Sequence, residues 1–178
     1  MQKLSLDALN RKTVDEVKRA VKTPVIAVLE NVRSAYNVGS LFRTADAFLL
    51  EAIYLVGYTP VPPHKEIRKT ALGAEDAVSF RHFKTSGEAI SALRDYGYGV
   101  YAVEQATNSI SLEKFVINQD AKVAMIFGNE VSGVEQDTIL ACDGCVEIPQ
   151  LGMKHSLNIA TAAGVVLWEI IRHRMHEQ

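Results

Sequence analysis

Short apolar segments alternate with amphipathic ones along most of the chain. The apolar segments are rich in β-branched residues, and we predict strands at 25–30, 52–57, 77–80, 99–104, 123–128 and 145–148. Nearly continuous apolar strands are typical of a parallel sheet that is covered by helices on both faces. The pattern therefore predicts an α/β fold with a mostly parallel sheet.

The segments between these strands have helical periodicity. We predict helices at 37–49, 86–95, 134–141 and 156–174, with a weaker one at 65–72. In segment 13–22, Val14, Val17 and Val21 predict a further amphipathic helix before the first strand. We expect a single domain over 1–178, made of a helical extension at 1–24 and an α/β unit at 25–174.

Composition narrows the class of protein. The chain has 178 residues, of which 48% are hydrophobic, and a formal net charge of −2. A chain of this size can bury a substantial core, and its net charge gives no overall positive potential that would attract nucleic acid. We expect no secretory signal, and the apolar run 159–171 is shorter than the roughly 20 residues of a membrane span. A cytoplasmic protein is expected, with no membrane partner.

Positive charge is nevertheless concentrated in two places, the stretch 65–84 and the N-terminal segment 11–22. Such clusters are as often solvated helix faces as binding surfaces. They are compatible with an RNA partner but do not require one.

The two cysteines, Cys142 and Cys145, form a CDGC sequence. A redox motif with this spacing begins a helix, whereas this pair follows the predicted helix 134–141. No second Cys or His pair completes a zinc site in the sequence. We predict two structural cysteines at a turn, and no metal.

Three polar segments come directly after predicted strands. They are ENVRSAYNVGSLFRTADAF at 30–48, IFGNEVSGV at 126–134 and IPQLGMKHSLNIATAAGVVLW at 148–168. Ligands of parallel sheets bind outside the carboxyl ends of the strands, so these segments are the candidate binding loops. The sequence contains neither a P-loop nor the glycine fingerprint of dinucleotide-binding folds.

Each segment also has a purely structural interpretation, which for the second segment is a strand–turn–helix junction with Glu130 in a first helical turn. Asn37 could cap the helix 37–49, and Ser156 could cap the last helix with Asn158 satisfied locally. Arg43 could be a surface residue, although its planar guanidinium also suits a phosphate or a polar substrate edge. The residues alone leave these alternatives open.

Taken together and in this order, the three segments resemble the motifs of the SpoU/TrmH family of RNA ribose 2′-O-methyltransferases, part of the SPOUT superfamily. The resemblance covers 25–171. Leu49 stands where relatives more often have Gly, and Gln150 where Met is usual, but neither is a proposed catalytic group. The resemblance implies a parallel α/β sheet whose C-terminal third forms a deep trefoil knot, a rare exception to unknotted topology.

The resemblance also implies S-adenosylmethionine as the cofactor. By their positions in the motifs, Gly128, Ile148 and Leu157 would contact its adenosyl group. Members of the family are homodimers with the active site at the subunit interface. The small side chains at 160 and 162–164 would let a second subunit, or the protein's own sheet, approach closely.

The catalytic residues implied by the resemblance are Asn37, Arg43, Glu130, Ser156 and Asn158. Arg43 would lie beside the reacting 2′-hydroxyl. Because arginine side chains stay protonated, we expect a positioning or charge-stabilising role more readily than that of a base. Asn37 would hold Arg43 or the ribose, and Glu130 would support its loop. Ser156 and Asn158 would bind a phosphate or hold the cofactor pocket.

The expected substrate is structured RNA, tRNA rather than rRNA, with an rRNA substrate left open. Contacts would come from 65–84, the N-terminal helix and 154–155. A catalytically silent RNA-binding factor of the same fold is one alternative. A base methyltransferase would instead need a carboxylate base near the methyl group. An ordinary doubly wound nucleotide enzyme would need the missing glycine fingerprints.

Overall fold

The computed structural model describes residues 1–5, 11–153 and 156–175, and the strands in these ranges form one seven-stranded sheet. The strands are Thr23–Glu30 (β1), Leu50–Val56 (β2), Phe80–Phe83 (β3), Gly99–Val103 (β4), Ile110–Ser111 (β5), Val123–Phe127 (β6) and Gly144–Glu147 (β7). Their order is β3-β2-β1-β6-β4-β7-β5, and every strand pair is parallel. The predicted parallel α/β fold is confirmed.

Helices cover both faces of this sheet. They are Val14–Arg19 (α1), Ala35–Ala47 (α2), Lys65–Ala71 (α3), Ala74–Ala77 (α4), Ser86–Asp95 (α5), Gln136–Ala141 (α6) and Ile159–Met175 (α7), with a 3₁₀ turn at Leu112–Lys114. In β1, Ala27 and Leu29 pack on the face under α2, α3 and α7, whereas Ile26 and Val28 pack on the face under α5 and α6. Burial on both faces explains why the strand has no polar alternation.

The predicted strand 77–80 is wrong. Its first residue belongs to the short helix α4, which follows Gly73 with a left-handed backbone at φ +94°. Val78 is buried in the core under α2 without belonging to a strand, and β3 starts only at Phe80. Apolar residues that fill the core from a helix–strand junction have the same local pattern as a short buried strand.

The N-terminal helix is shorter than predicted. Thr13 caps α1 through a reciprocal pair of hydrogen bonds with Glu16, and the helix ends at Arg19. As a result Val17 is buried, whereas Val21 lies beyond the helix and is exposed. Only part of the predicted amphipathic stripe therefore packs against the domain.

In the described ranges no helix is long and apolar enough to cross a membrane. The trefoil knot and the division of the chain at residues 24 and 25 stay predictions. The predicted RNA contacts at 154–155 lie outside the described residues.

Candidate active site

The three polar segments meet at the carboxyl edge of the sheet. The first follows β1 and leads into α2, the second follows β6, which is paired with β1, and the third follows β7 and leads into α7. Because all the strands are parallel, their carboxyl ends lie at the same edge, which brings together residues that are far apart in sequence.

A hydrogen-bonded chain of three side chains joins the segments. Asn37 Nδ2 donates to Glu130 Oε1 at 2.9 Å, and Asn158 Nδ2 donates to Asn37 Oδ1 at 3.2 Å. Asn37 therefore uses both ends of its amide and lies between the other two residues. We call Asn37, Glu130 and Asn158 the polar triad.

Glu130 also binds the start of α2. Its carboxylate accepts hydrogen bonds from the backbone N–H groups of Arg33 at 2.9 Å and Ser34 at 3.0 Å. Partial burial alone would raise the pKa of Glu130, but the hydrogen bonds from Arg33, Asn37 and Ser34 outweigh it and lower the pKa. Glu130 thus ties the second motif to the first and is ionised at neutral pH.

The structural interpretation of Asn37 and Ser156 as helix caps is wrong, whereas Asn158 is satisfied locally, as that interpretation expects. Ser34 caps α2 by accepting a hydrogen bond from the Asn37 backbone at 3.3 Å, so Asn37 lies inside the first turn. At α7 the capping side chain is Asn158, whose Oδ1 accepts from the backbone of Ala160 at 2.9 Å. Ser156 comes before the cap and is exposed. Capping fixes the Asn158 side chain, so that its Nδ2 is directed at Asn37.

Asn129 shapes the loop that carries Glu130, a role that the sequence did not suggest. Its Oδ1 accepts from the backbone of Val131 at 2.7 Å and of Ser132 at 3.0 Å. Its Nδ2 donates to the Asn31 carbonyl at 2.8 Å and to the Tyr58 hydroxyl at 2.9 Å. This buried amide therefore connects the second loop to the end of β1 and to the loop after β2.

Gly128 lets that loop fold back on itself. The backbones of Asn129 and Gly133 exchange two hydrogen bonds of 3.0 Å. A Cβ atom at Gly128 would lie only 2.1 Å from the Gly133 carbonyl carbon, a distance at which the backbone would have to shift. Glycine at position 128 thus has a local structural reason in addition to any contact with a ligand.

A cleft of about 700 Å³ opens beside the polar triad. All three predicted cofactor-binding residues line it, namely Gly128, Ile148 and Leu157, as do Ser156, Glu130 and Asn158. The cleft has apolar walls that include Phe127 and Ile139, and it is bordered by the ends of β4, β6 and β7. Its volume and mixed lining are those of a small-molecule site.

The charge of this cleft is one-sided. Glu104, Glu130 and Glu147 line it, whereas no Lys or Arg of the described residues does. Such a lining disfavours a polyphosphate and favours a ligand with positive charge.

Arg43 lies apart from this cleft. It is on α2 beyond the polar triad, is exposed, and makes no hydrogen bond or ion pair with the part of the chain that the structure describes. Asn37 and Arg43 make no hydrogen bond within this single chain, and the alternative that Asn37 holds the target ribose stays a prediction. Asn37 contacts Glu130 and Asn158 instead.

The basic stretch 65–84 is divided by the sheet. Lys65, Arg68 and Lys69 lie on α3 beside the start of α2, where Lys69 Nζ is 3.4 Å from the Tyr36 hydroxyl. Arg81 stacks on Phe83, with its guanidinium 4.9 Å from the ring centroid, on the α5 face of the sheet. The basic stretch thus lies on two surfaces, and Lys69 of α3 is near Tyr36, which comes directly before Asn37 of the polar triad.

The cysteines lie at the junction of α6 and β7, as predicted. Both are free thiols. Burial, together with the nearby negative charge of Asp143, raises the pKa of Cys142 to about 12. Burial also raises the pKa of Cys145, whose Sγ donates to the Glu104 carbonyl at 3.2 Å. Neither thiol is activated as a nucleophile. Within the described ranges, no group of three or more His, Cys, Asp or Glu side chains could hold a metal ion.

Comparison with known proteins gives consistent matches. The SpoU rRNA Methylase family model matches residues 24–168. A tRNA (guanosine(18)-2′-O)-methyltransferase of Thermus thermophilus is 32% identical over 93% of this chain and 83% of its own length. A 23S rRNA (guanosine-2′-O-)-methyltransferase of Vibrio parahaemolyticus is 29% identical over 94% of this chain and 66% of its own.

Among solved structures, the AdoMet-bound rRNA methyltransferase of Sinorhizobium meliloti superposes with a TM-score of 0.77 and 30% identity. The match covers 90% of this chain and 59% of that one. The motifs, the fold and these matches agree. The chain belongs to the SpoU rRNA methylase family.

Proposed function

We propose that the chain transfers a methyl group from S-adenosylmethionine to a ribose 2′-hydroxyl of structured RNA, and that this RNA is a tRNA. Membership of the family makes it an S-adenosylmethionine-dependent RNA methyltransferase. The polar triad carries the site-level proposal, because its hydrogen bonds join all three motifs at the edge of the cleft.

The cleft suits this cofactor. S-adenosylmethionine supplies, when bound, an electrophilic methyl group on a cationic sulfonium. The acidic lining of the cleft favours that charge, and its apolar walls can enclose an adenine ring. Gly128, Ile148 and Leu157 are the residues that we expect to hold the adenosyl group.

The polar residues then orient the RNA. Ser156 is exposed beside the Asn158 cap at the start of α7, where backbone N–H groups and hydroxyls suit a phosphate. Asn37, held by Glu130, can keep the target ribose in place. A guanidinium is planar and positively charged, so Arg43 would position the nucleotide and stabilise the negative charge that develops on the 2′-oxygen, while a phosphate oxygen of the RNA accepts the hydroxyl proton. Discrimination against DNA follows because the reacting group is itself the 2′-hydroxyl.

We further propose a homodimer with its active site at the interface. Arg43 does not line the cleft of its own chain, and a second copy would bring the Arg43 of one subunit to the cleft of the other. The outward stripe of α7 is apolar: Val165 is 41% exposed and Trp168 is 49% exposed, and Leu157, just before the helix, is 41% exposed. A Cβ atom at Gly164 would meet no atom within 4 Å. An apolar stripe that includes a glycine open to solvent suits close packing against another protein surface.

The preference for tRNA is supported by the relatives. The match to the Thermus tRNA enzyme extends over 83% of that protein, and the match to the Vibrio rRNA enzyme over 66%. An rRNA substrate is the alternative.

The experiment is transfer of tritiated methyl groups from S-adenosylmethionine to total RNA of a strain that lacks this gene, followed by nucleoside mass spectrometry. A 2′-O-methyl nucleoside confined to the tRNA size class is the expected product. Label confined to rRNA would contradict the tRNA assignment, and a methylated base would contradict the ribose assignment.

The role of Arg43 has its own test. Arg43→Ala should lower kcat by about 100-fold or more, as expected for loss of a group that acts on developing charge. The affinity of this variant for S-adenosylmethionine, measured by calorimetry, should stay at the wild-type value, because Arg43 does not line the cleft. Arg43→Lys is the matched variant. It keeps the charge without the planar fork and should recover part of the activity. A loss of cofactor affinity would mean that Arg43 has a different role.

A further inference from the structure

Glu104 lies at the carboxyl end of β4, between the two strands that lead into the second and third motifs. β4 pairs with β6 on one side and with β7 on the other. Gly128 follows β6 and Ile148 follows β7. Glu104 is therefore flanked on both sides by residues that we expect to contact the adenosyl group, and it lines the same cleft.

The backbone of Glu104 is fixed. Its N–H donates to the Val146 carbonyl at 3.0 Å, and its carbonyl accepts from Cys145 Sγ at 3.2 Å. Both contacts are to β7, so the position of the side chain at the cleft is set by the sheet itself and not by a free loop.

The half-buried carboxylate of Glu104 has hydrogen-bond acceptor positions that the protein does not use. Oε1 accepts from the backbone of Gln105 at 2.8 Å, and Oε2 accepts from the backbone of Val134 at 3.1 Å. Gly133 approaches so closely that a Cβ atom there would lie 2.1 Å from Oε2. An ionised carboxylate offers about four acceptor positions, so about two remain for a ligand in the cleft. A side chain that only stabilised the loop at Gly133 and Val134 would need a hydrogen-bond acceptor but no negative charge.

We propose that Glu104 is a cofactor-binding residue that accepts hydrogen bonds from the ribose hydroxyls of the adenosyl group. The inference rests on the proposed function, since it assumes S-adenosylmethionine in this cleft. A carboxylate at the carboxyl edge of a parallel sheet is a known acceptor for a ribose diol. The ribose diol is favoured over the α-ammonium group because Glu104 lies between the two strand ends assigned to the nucleoside.

The test compares S-adenosylhomocysteine with its 2′-deoxy and 3′-deoxy analogues, using calorimetry on the full chain. In the wild type, loss of a hydroxyl that binds Glu104 should weaken binding about tenfold or more, because the hydrogen bond is to a charged group. In Glu104→Ala the deoxy analogue and the parent should bind with nearly equal affinity. In Glu104→Gln, which keeps one acceptor oxygen, the penalty should be intermediate.

Glu147→Gln is the matched control, since it removes another carboxylate from the cleft. This variant should leave the ratio of the affinities for S-adenosylhomocysteine and its deoxy analogue at the wild-type value. An unchanged ratio in Glu104→Ala, with both ligands weakened equally, would overturn the inference and make Glu104 a loop brace. A wild type that binds S-adenosylhomocysteine without any deoxy penalty would overturn it too. A wild type that binds none of these ligands would overturn the proposed function itself.

Discussion

At the scale of single residues, the site depends on hydrogen bonds between side chains that come from three separate segments of the chain. Asn37, Glu130 and Asn158 could be selected from motifs, but their partners could not. Asn37 lies 93 residues before Glu130 and 121 before Asn158. Local spacing allowed Asn37 to be a helix cap, whereas Ser34 has that role. Glu104 was missed because it is in no motif and only the sheet places it beside the cleft.

Glu130 provides a prediction at this scale. Glu130→Gln leaves one acceptor oxygen and adds an N–H₂ donor opposite the backbone N–H groups of Arg33 and Ser34. The start of α2 and the Asn37 amide should then shift, and kcat/KM should fall on the order of 10- to 100-fold because the polar triad is misplaced. Since Glu130 is exposed and its charge is screened, the free energy of unfolding should fall by only about 1 kcal/mol.

The stability effect should depend on pH in a definite direction. The pKa of Glu130 is lowered in the folded state, so its stabilising contribution is fully present above the unfolded-state pKa of about 4.3 and is lost as pH falls through the folded-state pKa. The free energies of unfolding of the wild type and of Glu130→Gln, measured with urea, should therefore differ at pH 7 and converge in strong acid. Glu113→Gln, an exposed control on the 3₁₀ turn, should show no difference at either pH. A Glu130→Gln difference that grows in acid would contradict the assigned ionisation.

At the scale of elements, strongly periodic segments were predicted well and short ones were not. Helix α5 coincides with its prediction at 86–95, and β6 differs by one residue from 123–128. The two-residue strand β5 has too few residues to show alternation, and the junction between α4 and β3 was taken for a strand because Ala77 and Val78 are buried and apolar. Helix α3, the weakest helical prediction, forms because α2 offers a surface: a Cβ at Gly39 would lie 2.3 Å from the Ile67 carbonyl oxygen. Tertiary packing decided the structure of these short segments.

The position of α3 leads to a prediction about RNA binding. Lys65→Gln and Lys69→Gln remove cations beside the start of α2, where the RNA is expected. Each substitution should make the plot of log K for tRNA binding against log salt concentration less steep by about 1, as for the loss of one phosphate contact. Filter binding of tRNA over a range of salt concentrations would measure the slope. Lys84→Gln, a matched substitution just before α5, should leave the slope unchanged. Equal effects of all three variants would mean that the basic stretch binds RNA as one surface.

At the scale of the whole molecule, the parallel sheet converts a dispersed set of motifs into one site. Patterning alone could predict that the strands are parallel and that loops at their carboxyl ends should bind a ligand. It could not predict the strand order, in which β6 lies between β1 and β4. That order depends on contacts between distant strands, and it brings the Glu130 loop directly against α2.

The proposed dimer, with its active site at the subunit interface, can be tested with two inactive variants. Arg43→Ala keeps an intact cleft, and Ile148→Arg keeps Arg43 but should lose cofactor binding because a bulky cation enters an acidic, partly apolar site. If Arg43 acts on the partner's cleft, a mixed dimer has one complete site. Unfolding and reassembling equal amounts of the two variants should then restore about a quarter of the wild-type methyl transfer, since half of the dimers are mixed.

Differently tagged subunits and light scattering would establish that mixed dimers form, and Arg43→Ala reassembled with itself gives the background rate. If Arg43 acted within its own chain, a mixed dimer would contain no complete site and the rate would stay at that background. Recovery would therefore mean that Arg43 acts on the cleft of the partner subunit and that the active site lies at the interface. Absence of recovery in verified mixed dimers would place the reaction within a single chain and would require α2 to move, so that Arg43 reaches the cleft beside Asn158.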